Sequence, residues 1–383
     1  MKELIGFELR KIYSKKIVYI TLLMVAFFIL SASWLEWFQI NKQFGGMAEF
    51  KEAAKSYEGF YDEAKTEELL KEVEACYMKL SNDEVLTKEE YELINLYYYL
   101  TLDRSKTEDI YYGINDELYT VEEIKALQGQ FKQNSYEYKN FEKALSIIEE
   151  EKREIKYIGG WLYITDFNVA GSMIMLLIII GLSRLFSEEY SENTIAIILS
   201  TKKGRKEHIT AKIIAAFLHA LGVWIIVNLL YLLSGLPFGL EGSSEPFKKL
   251  FPNSGSIYSF TISEAYMRAI MISLIGTIAL AMVVCLISLV SKNSMITILV
   301  TFAIYFGPSV LCVFLPLPKW LINTIGAFQI ENLMQARRIV TVYETYNVFG
   351  TPVLYGVILA SCVIVSTLII VGSVKYLGKR QSL

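Results

Sequence analysis

The sequence predicts an all-α polytopic membrane protein with six transmembrane helices and an α-helical extracellular insert between the first two. Hydrophobic residues make up 53% of the 383 residues and cluster in long blocks. About 20 helical residues cross the ~30 Å hydrocarbon core of a bilayer, and each block has about that length. Residues 41–166 hold 16 Lys+Arg and 28 Asp+Glu (net −12), whereas the rest holds 21 and 12 (net +9). The two regions are therefore expected to face different compartments.

The N-terminal segment, residues 1–16, predicts a basic amphipathic helix that leads into a first transmembrane block at 17–38. Apolar side chains recur on one face at helical spacing: Leu4, Ile5, Leu9, Ile12 and Tyr13. A cleaved signal peptide is the competing interpretation. The long amphipathic start, with Trp34 and Trp37 suited to an interfacial aromatic belt, favours an uncleaved membrane anchor.

Residues 39–166 predict an acidic insert of about four packed helices. The runs Thr87–Glu90 and Thr120–Glu123 have capping-box spacing and indicate two helix starts. Fourteen of the 25 tyrosines fall within 41–166, either as amphipathic fillers or as a binding surface. Cys76 is the only cysteine of this region, so the insert cannot form a disulfide within itself.

The remaining blocks predict five further spans. Another capping box, Thr261–Glu264, opens the fourth span, and Pro308 is expected to kink the fifth. The predicted segments are 167–187 (second span), 188–211 (loop), 212–236 (third span), 237–263 (loop), 264–290 (fourth span), 291–294 (turn), 295–316 (fifth span), 317–351 (extracellular or re-entrant), 352–374 (sixth span) and 375–383 (tail).

Basic residues set the predicted orientation, because short cytoplasmic loops are enriched in Lys and Arg. The richer set of flanks contains the N-terminal helix and Lys202, Lys203, Arg205, Lys206, Lys292, Lys375, Lys379 and Arg380. We therefore expect cytoplasmic N- and C-termini, residues 39–166 outside, and a location in a bacterial-type plasma membrane.

Motifs for enzymatic chemistry are missing from the sequence. A phosphate-binding loop needs G-x-x-x-x-G-K-[ST], and the nearest run, Gly372 to Arg380, has the wrong spacing and an arginine at the hydroxyl position. Only two histidines occur, which excludes a three-histidine metal site. His219, deep within a block, is expected to hydrogen-bond between helices. The sequence thus predicts no enzyme, and no cofactor or metal bound by this chain.

The loop at 188–211 combines an acidic cluster, an apolar centre and a basic run. This pattern predicts a short amphipathic helix against the inner membrane face. Its apolar side requires a partner, either lipid headgroups or a protein groove.

The order of these elements resembles the permease subunit of type-2 ATP-binding-cassette (ABC) transporters, of the ABCG-like (type V) exporter class. The resemblance covers nearly the whole chain and is carried by residues 186–216, together with the basic N-terminal helix. Matching residue types are Glu188, Glu189, Thr194, Leu199, Ser200, Thr201, Arg205 and Lys212. Asn193 replaces the family's usual glycine and Lys202 its usual proline, so the turn is expected to differ locally.

The resemblance implies that residues 188–211 hold a coupling helix that docks into a separate ATPase subunit. The N-terminal helix would be a connecting helix that uses Phe7, Arg10 and Lys11. ATP and Mg would lie on the partner ATPase, and a second permease subunit, identical or different, would complete a dimer in the bilayer. No nucleic acid is expected as a partner. Candidates for the substrate pathway are His219, Asn228 and Pro308.

Three functions fit the sequence to different degrees. The leading hypothesis is export of an amphiphilic substrate: a peptide, an antimicrobial or a lipid-like molecule. The second is an antimicrobial-peptide sensing or immunity module, since a net charge of −12 concentrates cations. The third is an ion exporter or secondary transporter, which the missing internal repeat and missing intramembrane carboxylates disfavour.

Overall fold

Six helices in the described part of the chain are long and apolar enough to cross a membrane. The computed structural model describes residues 1–60, 63–82, 84–100, 112–115, 117–148, 154–200, 206–250, 256–316 and 318–380. The six segments are Lys16–Phe44, Phe167–Ser191, Lys206–Phe238, Ile262–Ser291, Ser294–Phe314 and Tyr355–Gly378. The chain is thus a largely helical, multi-pass membrane protein, as the hydrophobic blocks predict.

Short helices and strands connect these segments. The α-helices are α1 (Lys2–Tyr13), α2 (Lys16–Phe44), α3 (Met47–Lys55), α4 (Glu63–Ser81), α5 (Lys88–Tyr99), α6 (Val121–Gln130), α7 (Tyr136–Ile147), α8 (Trp161–Ile164), α9 (Phe167–Leu182), α10 (Ser187–Ser191), α11 (Ile195–Ser200), α12 (Lys206–Gly235), α13 (Ile262–Ser291), α14 (Ser294–Phe314), α15 (Lys319–Ala327), α16 (Ile330–Gln335), α17 (Arg337–Thr341) and α18 (Tyr355–Arg380).

Three short antiparallel strand pairs complete the fold of the described residues. The strands are β1 (Gly59–Phe60), β2 (Tyr112–Ile114), β3 (Glu117–Tyr119), β4 (Glu154–Ile155), β5 (Thr345–Val348) and β6 (Thr351–Leu354), paired as β1–β4, β2–β3 and β5–β6. The insert is therefore not helical throughout. Its periodic polar sequence predicts helices well, whereas two-residue and three-residue strands are too short to leave an alternating pattern.

Several helix boundaries differ from the predicted blocks, because apolar composition does not define where a helix ends. The first spanning helix continues past residue 38 to Phe44, where Gly45 takes a left-handed conformation (φ 84°) and ends it. The third begins at Lys206 rather than residue 212, and residues 352–354 belong to β6 rather than to the last helix. Both capping boxes predicted in the insert are formed, and so is that at Thr261.

The centre of the bundle consists of α9, α12 and α13. Ile178, Ile179 and Leu182 of α9 are fully buried and belong to one apolar cluster with the buried Leu280 and Val284 of α13. The last two spans lie at the periphery, with only 17% and 11% of their apolar windows buried within the chain. Their exposed apolar side chains are the kind that lipid accommodates.

One end of the bundle, which we call the α1 end, contains α1, α10 and the turn between α13 and α14. The sequence predicts that these segments lie on the same side of the membrane. Ser288 Oγ of α13 accepts hydrogen bonds from the backbone N–H groups of Phe186 and Ser187, at 3.2 Å each. Lys292, in the turn between α13 and α14, lies over the ring of Tyr190, 4.8 Å from its centroid. α1 packs across α12 beside them. The compartment that this end faces stays a prediction.

The insert covers the opposite end, which we call the insert end. Its aromatic core includes Phe50, Tyr99 and Tyr157 and continues onto Phe238, just beyond α12. Tyr157 Oη donates a 2.7 Å hydrogen bond to the carbonyl of Phe238. Here Gly160 lies directly against α12, and a Cβ on Gly160 would stand 1.9 Å from the carbonyl oxygen of Gly235. Only glycine permits this backbone contact.

A polar network also joins the insert to the segment before the last span. The amide oxygen of the buried Asn140 accepts from the hydroxyls of Tyr343 (3.1 Å) and Thr345 (2.7 Å). Asn115 Oδ1 accepts from the backbone N–H of Thr345 at 2.9 Å. The segment predicted as extracellular or re-entrant, 317–351, is thereby attached to the insert in its β5 part.

Replacing Asn140 by Ala should destabilise the protein by about 1–3 kcal/mol, because two buried hydroxyls lose a shared acceptor. Thermal unfolding of the protein in detergent measures this loss. The control Lys132→Ala changes an exposed side chain nearby and should leave the unfolding temperature unchanged. Equal effects of the two substitutions would contradict a structural role for the network.

Glu245, between the third and fourth spans, gives a pH-dependent prediction. Its carboxylate pairs with Lys249 (2.9 Å) and Lys156 (3.2 Å). Burial alone would raise the pKa of Glu245, but these two lysines outweigh it and lower the pKa below the ordinary 4.5. A lowered folded-state pKa stabilises the protein above pH 4.5, and this contribution is lost as the pH falls through the folded-state pKa. The difference in unfolding temperature between the natural protein and Glu245→Gln should therefore be largest near neutral pH and vanish in acid; a constant difference would contradict this.

Candidate functional site

A buried ionic cluster at the α1 end joins three elements that are distant in sequence. Glu189 of α10 lies at its centre. Glu189 Oε1 is 2.7 Å from Lys212 Nζ of α12 and 3.1 Å from Lys11 Nζ of α1. His208, one turn before Lys212 on the same face of α12, places Nε2 3.0 Å from the same oxygen. One carboxylate thus contacts three cationic or ionisable groups from two other helices.

Lys212 is the most buried charged side chain of the cluster, with no exposed surface. Besides Glu189, its ammonium group donates to the carbonyl of Leu185 and lies 4.8 Å from the centroid of the Phe186 ring. The carbonyl of Leu185 is accessible because residues 183–186 form turns between α9 and α10 and leave the helical hydrogen-bond pattern. A buried ammonium ion needs such a set of acceptors to offset its lost hydration.

Glu8 of α1 contributes a second buried carboxylate, with 1% of its surface exposed. Lys11 Nζ is 3.7 Å and His208 Nδ1 3.6 Å from its oxygens. Neither oxygen has a hydrogen-bond partner among the described residues. The imidazole of His208 therefore stands between two carboxylates, with Nδ1 towards Glu8 and Nε2 towards Glu189.

Charge balance explains why this cluster is stable. Two carboxylates, Glu8 and Glu189, face two ammonium groups, Lys11 and Lys212, so the formal charges cancel when His208 is neutral. Burial lowers the pKa of Lys11, but the carboxylates of Glu8 and Glu189 outweigh it and raise the pKa above its ordinary value. The cluster is a network of paired charges, and removing one member would leave its buried charges unbalanced.

Glu8, Glu189 and His208 also have the composition of a metal site, with ligand atoms within 4.8 Å of one another. The two ammonium groups of Lys11 and Lys212 already neutralise the carboxylates, and both contact Glu189 Oε1. A divalent cation would add two positive charges beside them. The arrangement therefore favours charge pairing over metal binding.

A second ion pair extends the contact between α1 and the loop. Lys15, just after α1, pairs with Glu188 of α10. Phe7 and Arg10 of α1 are exposed on the other side of the helix. α1 therefore has a buried face attached to α10 and α12 and an outer face that presents an apolar and a basic side chain.

The loop continues from the cluster into the short helix α11. Asn193, at the position of the family's usual glycine, has φ 56°, a left-handed conformation that asparagine tolerates. The N–H of Thr194 then donates to the carbonyl of Glu189 at 3.0 Å, which attaches the start of α11 to the cluster. Ile197 of α11 is 68% exposed.

The structure separates the predicted coupling residues into groups. Glu188, Glu189 and Thr194 lie in or beside the cluster, and Ser200 Oγ donates to the carbonyl of Ile197 at 2.7 Å. Thr201 and Arg205 lie outside the described residues, and so does the side chain of Leu199. Their predicted coupling role stays a prediction.

The three candidates for a substrate pathway lie apart from one another. His219 Nδ1 is 3.1 Å from Tyr13 Oη, so this histidine belongs to the packing of α1 against α12. Asn228 Nδ2 donates to the carbonyl of Trp224 in its own helix at 2.7 Å. Pro308 lies inside α14. None of the three lines the cavity of about 520 Å³ nearer the insert end, between α2, α9 and α12.

Glu8 and His208 are the functional residues that sequence reasoning missed. A usable signal exists for each. Glu8 is a carboxylate one turn before Ile12, on the apolar face of an amphipathic helix, where a charge needs a buried partner. His208 precedes Lys212 by four residues, so both project from one face of α12.

Comparison of the chain with protein-family models, with curated proteins and with solved structures finds no match. The geometry of the α1 end is therefore the basis of the functional argument.

Replacing Lys212 by Met should destabilise the protein by about 3–5 kcal/mol, because Glu189 stays buried and loses its closest cation. Thermal unfolding in detergent measures the effect, and Lys16→Met, at an exposed position of the same end, is the matched control. In the double variant Glu189→Gln with Lys212→Met, part of the loss should be recovered, since neither charge is then left alone. Strictly additive losses would show that the two residues act independently.

Proposed function

We propose that this chain is the transmembrane permease subunit of an ABC exporter that moves an amphiphilic substrate outward. A separate ATPase subunit, holding ATP and Mg, would supply the energy. On this proposal the chain lies in a plasma membrane with the α1 end in the cytoplasm and the insert outside. The observation that carries the proposal is the buried ionic cluster, which attaches an exposed loop helix to two membrane spans and to α1.

A subunit driven by an external ATPase needs a surface that the ATPase can bind. At the α1 end, α11 exposes Ile197 and α1 exposes Phe7 (58%) beside the basic Arg10. Short helices with exposed apolar side chains typically dock into grooves of partner proteins. Phe7 and Ile197 are exposed to 58% and 68%, which leaves both side chains available to a partner.

The docking surface must also be attached firmly to the spans. α11 follows α10 through the hydrogen bond of Thr194 to Glu189, and Glu189 pairs with Lys212 at the start of the third span. The second span ends in α10 itself. A displacement of α11 by a partner would therefore reach the second and third spans together, through paired charges rather than through a flexible loop.

A dimer is the remaining part of the proposal. The fifth and sixth spans expose most of their apolar surface, and a pathway between two subunits would use such spans. Met295, Leu299 and Phe314 are among the exposed side chains of α14. A second permease subunit, identical or different, would cover part of this surface, and lipid the rest.

Replacing Ile197 by Asp should abolish co-purification of a phosphate-binding-loop ATPase with the chain, because a charge at the centre of an apolar contact must be desolvated. The measurement is affinity purification from mild detergent, followed by identification of stoichiometric partners. Phe7→Asp should weaken the same complex. The isolated chain should hydrolyse no ATP.

Val85→Asp is the matched control, since Val85 is 92% exposed on the insert and should retain the ATPase. Recovery of the natural chain without any ATPase, at native expression, would contradict the proposal. Hydrolysis of ATP by the chain alone would contradict it as well.

A further inference from the structure

A cavity of about 520 Å³ lies between the first three spans and the base of the insert. Its volume falls within the roughly 300–1,000 Å³ of small-molecule sites. Phe28 and Ile29 of α2, Val169 of α9 and Tyr231 of α12 form its walls, and Leu162 closes it from the insert. The cavity is thus lined both by membrane-spanning helices and by residues of the insert.

Part of the cavity lining lies on the exposed face of α2. Phe28 is 55% exposed and Ala32, one turn further, is exposed as well, whereas Ile29 is buried. In a membrane the exposed face of α2 contacts lipid tails. A molecule in the bilayer can therefore reach the cavity sideways, without crossing water.

The depth of the cavity follows from helix geometry. Lys15 and Glu188 are paired at the α1 end, which fixes a common level for α2 and for the antiparallel second span. With a rise of 1.5 Å per residue, Phe28 lies about 20 Å and Asp166 about 33 Å from that level. With that level at one boundary of a ~30 Å hydrocarbon core, the cavity would lie in the half of the core nearer the insert and reach its far boundary.

Three charged residues are among the described residues that line the cavity, and Asp166 lies at the N-terminal end of α9. The three are Asp166, Lys249 and Arg337. Asp166 caps α9 by accepting from the N–H of Val169 at 3.4 Å, its surface is exposed, and the nearby Arg337 also acts on its carboxylate. Arg337 is exposed and Lys249 pairs with Glu245. Two cationic groups and one carboxylate match the phosphate and the amine of a zwitterionic headgroup.

We propose that this cavity binds one amphiphile with an aminophosphate headgroup, which enters from the bilayer. Its chain lies along Phe28 and Ile29, its phosphate faces Arg337 and Lys249, and its amine faces Asp166. Its role as a transported substrate rests on the proposed function, whereas the binding itself does not.

The first test is a titration of the purified chain, in an uncharged detergent, with a fluorescent lysophosphatidylethanolamine. We expect saturable binding of one molecule per chain. Ala32→Trp should weaken binding at least about tenfold, because the indole fills the lateral opening. Leu23→Trp adds the same group at an exposed position of α2 outside the cavity and should leave binding unchanged.

The second test concerns the headgroup. Arg337→Gln should weaken binding of the lysophospholipid about tenfold and leave a fluorescent monoacylglycerol of the same chain length unaffected, since that ligand has no phosphate. Lys88→Gln, at an exposed lysine of the insert, is the control. Should Ala32→Trp unfold, Val169→Phe fills the cavity from the opposite wall.

Three results would overturn the inference: no saturable binding by the natural chain, equal losses in Ala32→Trp and Leu23→Trp, or equal weakening of both ligands by Arg337→Gln. Failure of the proposed function is distinguishable from these. Binding that persists in a chain with no ATPase partner would leave the site intact and contradict only the exporter proposal.

Discussion

The contact between Glu189 and Lys212 is the interaction on which the α1 end depends. Both side chains are buried, and each would be costly without the other, because charges removed from water need compensating partners. Lys11 and His208 complete the set around the same carboxylate. The arrangement joins α1, α10 and the start of α12 through paired charges, in addition to their apolar packing.

α12 connects this unit to the other end of the bundle. Its first two turns carry His208 and Lys212, and its last residue, Gly235, lies against the backbone of Gly160. The two ends hold α12 in different ways. Paired charges hold it at the α1 end, and a backbone contact between two glycines holds it at the insert end. Both contacts tolerate little variation in the position of α12 relative to the α1 end and the insert.

How far the candidate site could be predicted varies residue by residue. Glu188 and Glu189 were predicted as part of a coupling loop and Lys11 as part of a connecting helix, and the structure brings Lys11 and Glu189 together. Asn193 departed from the expected glycine, yet its left-handed conformation is the one glycine would supply. Glu8 escaped notice because a single carboxylate on a helix of 12 residues gives no indication of which partner faces it.

The sequence by itself determined the number of spans, the acidic insert between the first two and the capping boxes that start α5, α6 and α13. These properties depend on local composition and spacing, which bilayer thickness and backbone hydrogen bonding translate directly into helices. Only the tertiary structure decided that Glu8, Glu189, His208 and Lys212 share one buried cluster, that Gly160 contacts Gly235, and that Asp166, Lys249 and Arg337 line one cavity with the first three spans. Those contacts join residues up to about 200 positions apart, and no local pattern encodes which helix faces which.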